Sequence, residues 1–398
     1  MNNGQASVDI AIVGAGPAGL CMAAALADFG CSVVLIDPAS AEQLAEPAFD
    51  GREIALTHAS RQRLQALGVW SQIDPDDISP LRDAWVFDRD DPTPLAISHR
   101  DGRSEQLGFL VPNHAIRRAA FAACPEAIKA ASLFGRRVMQ VDRGDSRHRL
   151  MLDDGRSLEA RLVIAADSRH SATRRAFGIA ASQRDFGRSM LVCRMALERD
   201  HGQVAWEWFG ADRTLALLPL NGGQASVVIT RPHAEIQALE SLDESAFGES
   251  VTQLYQQRLG RMSLASERCV YPLVGVWPDR LVAPGFAAIG DAAVGMHPVT
   301  AHGFNLGLAS VETLARCLRS SPGAGRLVAD QSALEAYQRR HRRASLPMYL
   351  ATGAVVALYT RQGPLTSLLR RAALRGANRL TPFRRLIASQ LTGQPFRP

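Results

Sequence analysis

The chain has 398 residues, 46% of them hydrophobic, with 32 Gly and 21 Pro, a make-up that suits a globular protein with a large interior and excludes a disordered or fibrous one. The net charge of +6 is uneven: residues 336–398 hold 12 Arg and no Asp or Glu, so the first 335 residues carry 6 − 12 = −6. Six cysteines (Cys21, Cys31, Cys124, Cys193, Cys269, Cys317) form no CxxC pair, which fits neither a zinc site nor a disulfide framework and points to a reducing compartment.

The first long apolar run, "IAIVGAGPAGLCMAAALA" from Ile10 to Ala27, is interrupted by Gly14, Gly16, Pro17 and Gly19 and has no basic segment ahead of it. It therefore reads as neither a membrane span nor a signal peptide. Taken with "CSVVLID", it is a βαβ unit carrying GxGxxG at Gly14, Gly16 and Gly19, and Asp37 closes its second strand 23 residues after Gly14. The first glycine makes the turn, the second lets the backbone approach a pyrophosphate, and the third packs helix on strand; the acid at the strand end suits ribose hydroxyls. The motif predicts dinucleotide binding without choosing between NAD and FAD.

Next, "REIALTHASRQRLQALGVW" reads as loop then helix and "VPNHAIRRAAFAACP" as a second helix. From Ser189 to Arg231, "MLVCRMAL", "VAWEWF", "TLALLPL" and "QASVVITR" read as short strands of an antiparallel sheet. A helical stretch follows over Ser245–Leu259, and "GFAAIGDAAVGMHPVTAHGFNLGLASVETLARCL" returns to strand, loop and helix. On the second strand Trp206 and Trp208 share one face, with Cys193, Leu215, Leu217 and Pro219 on neighbouring strands. They read either as a substrate-pocket wall or as ordinary core. The tail alternates apolar runs with Arg pairs, and those runs are too short or too broken by Gly and Pro to span a bilayer. It reads as an interfacial helix pair for an anionic membrane surface, or as a solvated face. It carries no nucleic-acid motif, so no nucleic-acid partner is expected.

Three motifs occur in the order "GAGPAG" (Gly14–Gly19), "AADSRHSATRR" (Ala165–Arg175) and "GDAAVGMHP" (Gly290–Pro298). With them the chain resembles the group A flavoprotein aromatic hydroxylases, and more narrowly the ubiquinone-biosynthesis hydroxylases, over nearly its whole length. The resemblance implies a mixed α/β fold: a discontinuous Rossmann-like FAD-binding domain (1–75, 105–180 and 270–335), an interleaved β-sheet substrate domain (76–104 and 181–269), and a basic helical segment (336–398). It implies FAD held by Gly14, Gly16, Ala18, Gly19, Asp37, Arg52, Arg117, Asp167, Gly290, Asp291, Pro298, Gly303 and Asn305. Asp291 reads alternatively as a helix cap.

Around the flavin ring the resemblance assigns Pro298, His302 and Gly303 to the catalytic region, where a helix N-terminus supports the negative charge of reduced flavin. NAD(P)H would reduce FAD, oxygen would add at flavin C4a, and the resulting hydroperoxide would hydroxylate an electron-rich ring. No metal is needed. Two departures stand out. Ala301 and His302 replace the usual Gly and Gln, a variant that resembles the demethoxyubiquinol hydroxylase branch, and Ser168 replaces the usual Gly after Asp167. His302 then either tunes the flavin or only packs. The expected substrate is a polyprenylated aromatic ring, the expected location is cytoplasmic and peripheral at the inner face of the membrane, and the expected partner is an anionic membrane surface or a quinone-biosynthesis complex. Other readings are a hydroxylase of a soluble phenol, a halogenase, a prenyl reductase, or a non-catalytic member of such a complex. A halogenase needs an active-site lysine, and the one lysine, Lys129, lies outside the flavin motifs.

Overall fold

The computed structural model describes residues 6–88, 93–101, 104–210, 212–296, 302–320 and 329–360. A first sheet has at its centre the parallel strands β1 (Ala6–Val13), β2 (Val33–Asp37), β8 (Leu133–Phe134), β11 (Ser157–Ala165) and β19 (Phe286–Ala288). Antiparallel β18 (Val282–Ala283) closes one edge, and the β9 (Val138–Asp142)–β10 (His148–Leu152) hairpin joins β11. Ile10, Ala11 and Ile12 of β1 are fully buried, as expected of a parallel strand covered on both faces, which explains why the sequence there is continuously apolar rather than alternating.

Register positions the chemistry. Val13 pairs with Ala165, and Ala165 with Ala288, so three strands that are remote in sequence end side by side. Each of the three motifs begins within two residues of that row. In open α/β sheets the crevice beyond the carboxyl ends of the strands is where ligands bind.

A second sheet runs in the order β16 (Met262–Leu264), β12 (Ala181–Leu197), β15 (Gln224–Pro232), β14 (Thr214–Pro219), β13 (Val204–Phe209), β5 (Asp83–Asp88), β6 (Leu95–Ile97), with β17 (Cys269–Pro278) also on β12. The four strands expected over Ser189–Arg231 pair antiparallel, while β13 and β5 are parallel, because residues 83–97 arrive from an earlier part of the chain and supply the last two strands. A small third sheet holds β3 (Glu53–Leu56), β7 (Gly108–Pro112) and β4 (Ser79–Leu81).

Ten helices complete the described residues: α1 (Pro17–Ala25), α2 (Ala41–Ala45), α3 (His58–Ala66), α4 (Asn113–Ala123), α5 (Glu126–Ala131), α6 (Ala172–Ala176), α7 (His233–Glu240), α8 (Glu244–Leu254), α9 (Gly303–Arg319) and α10 (Gln331–Thr360). The stretch read as loop then helix from Arg52 starts instead with β3, whose four residues are too few for periodicity to reveal. The helix expected over Ser245–Leu259 ends at Leu254, and α7, ahead of it, was not anticipated. The C-terminal helix begins at Gln331, ahead of the boundary expected at 336, and continues through Pro347. Among the described residues, no helix is long and apolar enough to cross a membrane.

Candidate active site

The β1–α1 turn is built from steric necessity. Gly14 has φ +105°, and a Cβ there would lie 2.5 Å from the Ala166 carbonyl oxygen; one on Gly19 would lie 1.9 Å from the Gly14 oxygen. Gly16 differs, since a Cβ there would meet nothing within 4 Å. Two glycines are thus required by the protein's own packing and the third by the open space in front of it. Gly16 is the N-cap of α1 and no side chain caps that helix, which leaves its first-turn N–H groups for an anion. Asp37 accepts the Ala15 N–H at 2.6 Å and the Ala39 N–H at 2.8 Å. It therefore fixes the turn, and the remaining lone pairs of its two oxygens stay available to hydroxyl donors.

On the adjacent strand, Asp167 Oδ2 accepts the Thr173 N–H at 3.0 Å and its hydroxyl at 2.9 Å, holding α6, while Oδ1 is buried without a partner. Ser168 has φ +79°, a left-handed conformation that costs a non-glycine residue about 1–2 kcal/mol. The departure from Gly at this position therefore carries strain. Arg169 donates to the Val274 oxygen at 2.9 Å and to Asp291 Oδ2 at 3.0 Å. Arg174, 1% exposed, donates to the Ala292 oxygen at 3.0 Å. Burial lowers its pKa against the opposing pull of Asp167. The middle motif is in this way tied to the third.

The third motif meets the first directly: a Cβ on Gly290 (φ +59°) would lie 2.9 Å from the Ala18 Cβ. At the start of α9, His302 occupies the N-cap without a side-chain cap bond, and a Cβ on Gly303 would meet nothing within 4 Å. Asn305 donates to the Ala55 oxygen at 2.8 Å and accepts the Thr57 N–H at 3.2 Å, tying α9 to the β3–α3 junction. Pro298 lies outside the described residues.

Arg52 completes the cluster. Its guanidinium pairs with Asp50 at 2.6 Å and lies 5.4 Å over the Tyr271 ring. Asp50 also accepts from Asn113 Nδ2 at 2.7 Å, and its carbonyl accepts the Tyr271 hydroxyl at 2.8 Å. Burial works against the Arg52 cation, but Asp50, and more weakly Tyr271 and Asp291, hold its pKa above the ordinary value. Arg52 and Asp291 thus feel each other's charge. Arg117, half-buried on α4 beside α1, has no hydrogen bond or ion pair among the described residues.

The aromatic face of the second sheet lies elsewhere. Cys193, Trp206, Trp208, Leu215 and Leu217 pack in one cluster with Ile236 and Leu239 of α7 and Phe247 and Val251 of α8. Burial pushes the Cys193 thiol up to about 12. Of the two readings left open for this face, the packing agrees with ordinary core, since α7 and α8 lie against it. Pro219 is buried at the end of β14 with the same alternation. Sequence reading missed Asp50, Arg169 and Tyr271; the Asp-Gly-Arg spacing was a usable signal for the first, whereas the other two are recruited only by folding.

Two uncapped helix N-termini, an open glycine and an orphaned buried carboxylate oxygen converge at one sheet edge, and that donor set fits a dinucleotide carrying a flavin ring. The FAD binding domain family model matches residues 7–348. The chain belongs to that family. Within it the chain is 42% identical to the ubiquinone hydroxylase UbiM of Neisseria meningitidis over 97% of this chain and 84% of that protein. It is 31% identical to the ubiquinone hydroxylase UbiL of Rhodospirillum rubrum, over 97% and 89%. The 3-demethoxyubiquinol 3-hydroxylase of Escherichia coli is 27% identical over 95% and 96%. The p-nitrophenol 4-monooxygenase PnpA of Pseudomonas putida shares the fold at a TM-score of 0.78 and 16% identity, covering 98% of this chain and all of that one. FAD is the cofactor, and the chain is an FAD-dependent monooxygenase of the ubiquinone hydroxylase family.

Proposed function

We propose that this enzyme hydroxylates the aromatic ring of a polyprenylated ubiquinone precursor, with NAD(P)H as reductant and O2 as oxidant. The observation that carries the reading is the meeting of the three motifs on the Val13–Ala165–Ala288 row. Bound there, FAD supplies the redox and oxygen-transfer chemistry. The chain's own residues do the rest. The Gly14–Gly19 turn and α1 would hold the pyrophosphate, Asp37 the ribose, Arg52 and Arg117 the anionic portions, and Asp291 the ribityl hydroxyls with Arg169 setting its rotamer. The α9 N-terminus would face the flavin ring, with Pro298, His302 and Gly303 around it. Asp167 Oδ1 has capacity for a further donor, and Gly290 and Asn305 act by positioning the loops.

Similarity to UbiM exceeds similarity to the demethoxyubiquinol enzyme, so the proposal is not tied to the demethoxyubiquinol step. We read the FAD-binding part as 1–75, 105–180 and 270–335, with 76–104 and 181–269 forming the substrate part. Delivery of a lipid-borne ring fits α10, where Leu346 and Leu350 are exposed among arginines, followed by the basic residues 361–398, which lie outside the described residues. Apolar contact plus about 1 kcal/mol per basic residue supports salt-sensitive docking on an anionic membrane. The test of the activity is expression in cells blocked at single ubiquinone hydroxylation steps. One block should be relieved with a quinone precursor gaining one oxygen by mass spectrometry, and no relief in any background contradicts the proposal.

A further inference from the structure

Strand β13 reads Val-Ala-Trp-Glu-Trp-Phe. Trp206 and Trp208 face α7 and α8, so strand alternation turns Glu207 to the opposite side. On that side it sits in a cross-strand row with Val86, Ala216, Val228 and Val192, and every member except Glu207 is apolar. The row leads to the cofactor segment: the Val192 oxygen lies 3.3 Å from where a Cβ on Gly51 would stand, and Arg194, two residues along β12, pairs with Glu53 of β3 at 2.7 Å. One end of the same face is roofed by Leu81 and Leu110, against which Ala84, Ala205 and Leu218 pack. Glu207 therefore lines an apolar wall looking toward the segment that carries Arg52.

We propose that Glu207 is a catalytic residue that binds a hydroxyl group on the substrate's aromatic ring and takes its proton. The inference rests on the ring-hydroxylation reading above. In the step, the ring O–H bond breaks, a new O–H bond forms on the Glu207 carboxylate, and the negative charge moves to the ring oxygen. A phenolate ring is far richer in electrons than the neutral phenol, which is what an electrophilic oxygen donor requires.

Three further observations support the assignment. No hydrogen bond or ion pair among the described residues reaches the Glu207 carboxyl, and the residue as a whole is half-buried. Burial alone holds its pKa well above the ordinary carboxylate value, which makes the ionised carboxylate a stronger proton acceptor than an exposed one. Tyr255, across the sheet, feels the Glu207 charge and has its hydroxyl occupied by the Ala216 oxygen at 2.7 Å; on Glu207's own face the buried Asp88 lies two residues along β5 from its partner Val86, and the Arg194–Glu53 pair, two residues along β12, is internally compensated. On the same face Ser226 is fully buried with an unpartnered hydroxyl. A wall that leaves one carboxyl and one hydroxyl without protein partners is suited to a ligand with oxygen substituents on an apolar body.

The test uses full-length, FAD-loaded enzyme and a short-chain 2-prenylphenol as probe. Three readings are taken: the ultraviolet spectrum of the bound probe as a function of pH, steady-state hydroxylation, and FAD content. The parent should bind the probe as the neutral phenol hydrogen-bonded to the carboxylate, with its phenol-to-phenolate transition moved upward in pH because a neighbouring negative charge opposes the phenolate. Glu207→Gln should keep one FAD per chain, leave KM within a few-fold, abolish that upward shift, and lower kcat by roughly 10²-fold or more, the usual contribution of a positioned base. Glu207→Asp should restore part of the upward shift with a displaced pH profile, and this variant decides the matter should the Gln variant not fold. A Gln variant with an unaltered phenolate transition and kcat within two-fold overturns the assignment. A parent enzyme that neither binds nor hydroxylates any prenylphenol overturns the functional reading and the role of Glu207 with it.

Discussion

The carboxyl edge of the parallel sheet and the broad faces of the second sheet obey different rules. At the parallel edge, backbone sterics decide the geometry: Gly14 needs a positive φ, Gly19 meets the Gly14 oxygen, and Gly16 faces open space. On the second sheet the two faces differ in what covers them: α7 and α8 close the tryptophan side into core, while the Glu207 side looks toward β3. Steric demands are written locally in a sequence, whereas the identity of the covering layer is not.

Substitutions on the two regions should separate fold from function. Trp206→Ala removes a buried indole from the helix-covered face and should destabilise the protein by about 3–5 kcal/mol, measured by chemical denaturation; a loss below 1 kcal/mol would show that this face is not core. At the parallel edge, Gly19→Ala forces a Cβ against the Gly14 oxygen at 1.9 Å and should cost about 3 kcal/mol or more as overpacking. Gly16→Ala, with open space ahead, should leave the melting of the FAD-free protein nearly unchanged yet abolish FAD retention. Equal effects of the two glycine changes on stability would contradict the division between packing glycines and the ligand-facing one.

The helix that follows the cofactor motifs contributes a pH signature. His341 is 2% exposed, stacks on Tyr337, and burial pushes its pKa down to about 4. Below the unfolded value near 6.5 the unfolded chain takes up a proton that the native state refuses, so stability falls as pH drops from about 6.5 to about 4. At pH 5 the loss from this group is on the order of 2 kcal/mol. Denaturation curves of the parent and His341→Phe at pH 7.5 and 5 should show the difference; identical pH slopes would remove His341 as the cause. The smallest expected effect is at Ser168, where Ser168→Gly relieves a positive φ and should stabilise by about 1 kcal/mol, read as a rise in melting temperature with FAD content unchanged.

Much of the nucleotide edge was legible in the sequence. The βαβ unit, the acid at Asp37 and the order of the three motifs follow from local pattern, and α9 starts at Gly303 as its sequence predicts. Asn305 was legible as a site residue but not in its partners, because Thr57 and Ala55 are about 250 residues away and only folding brings them close. The parallel pairing of β5 with β13 has the same cause: residues 83–88 and 204–209 meet across a separation that periodicity cannot span. The alternation of Trp206, Glu207 and Trp208 was readable, but which side α7 and α8 would cover was not, and so the tryptophans stood open between pocket wall and core.

The central claim, one non-covalent FAD held at the edge where the three motifs meet, is tested most directly by the flavin-to-protein ratio after acid precipitation of the purified parent and of Gly16→Ala. The account predicts one released FAD per parent chain and almost none from the folded variant. A colourless parent that cannot be reconstituted with FAD, or a variant that retains the full complement, would contradict it.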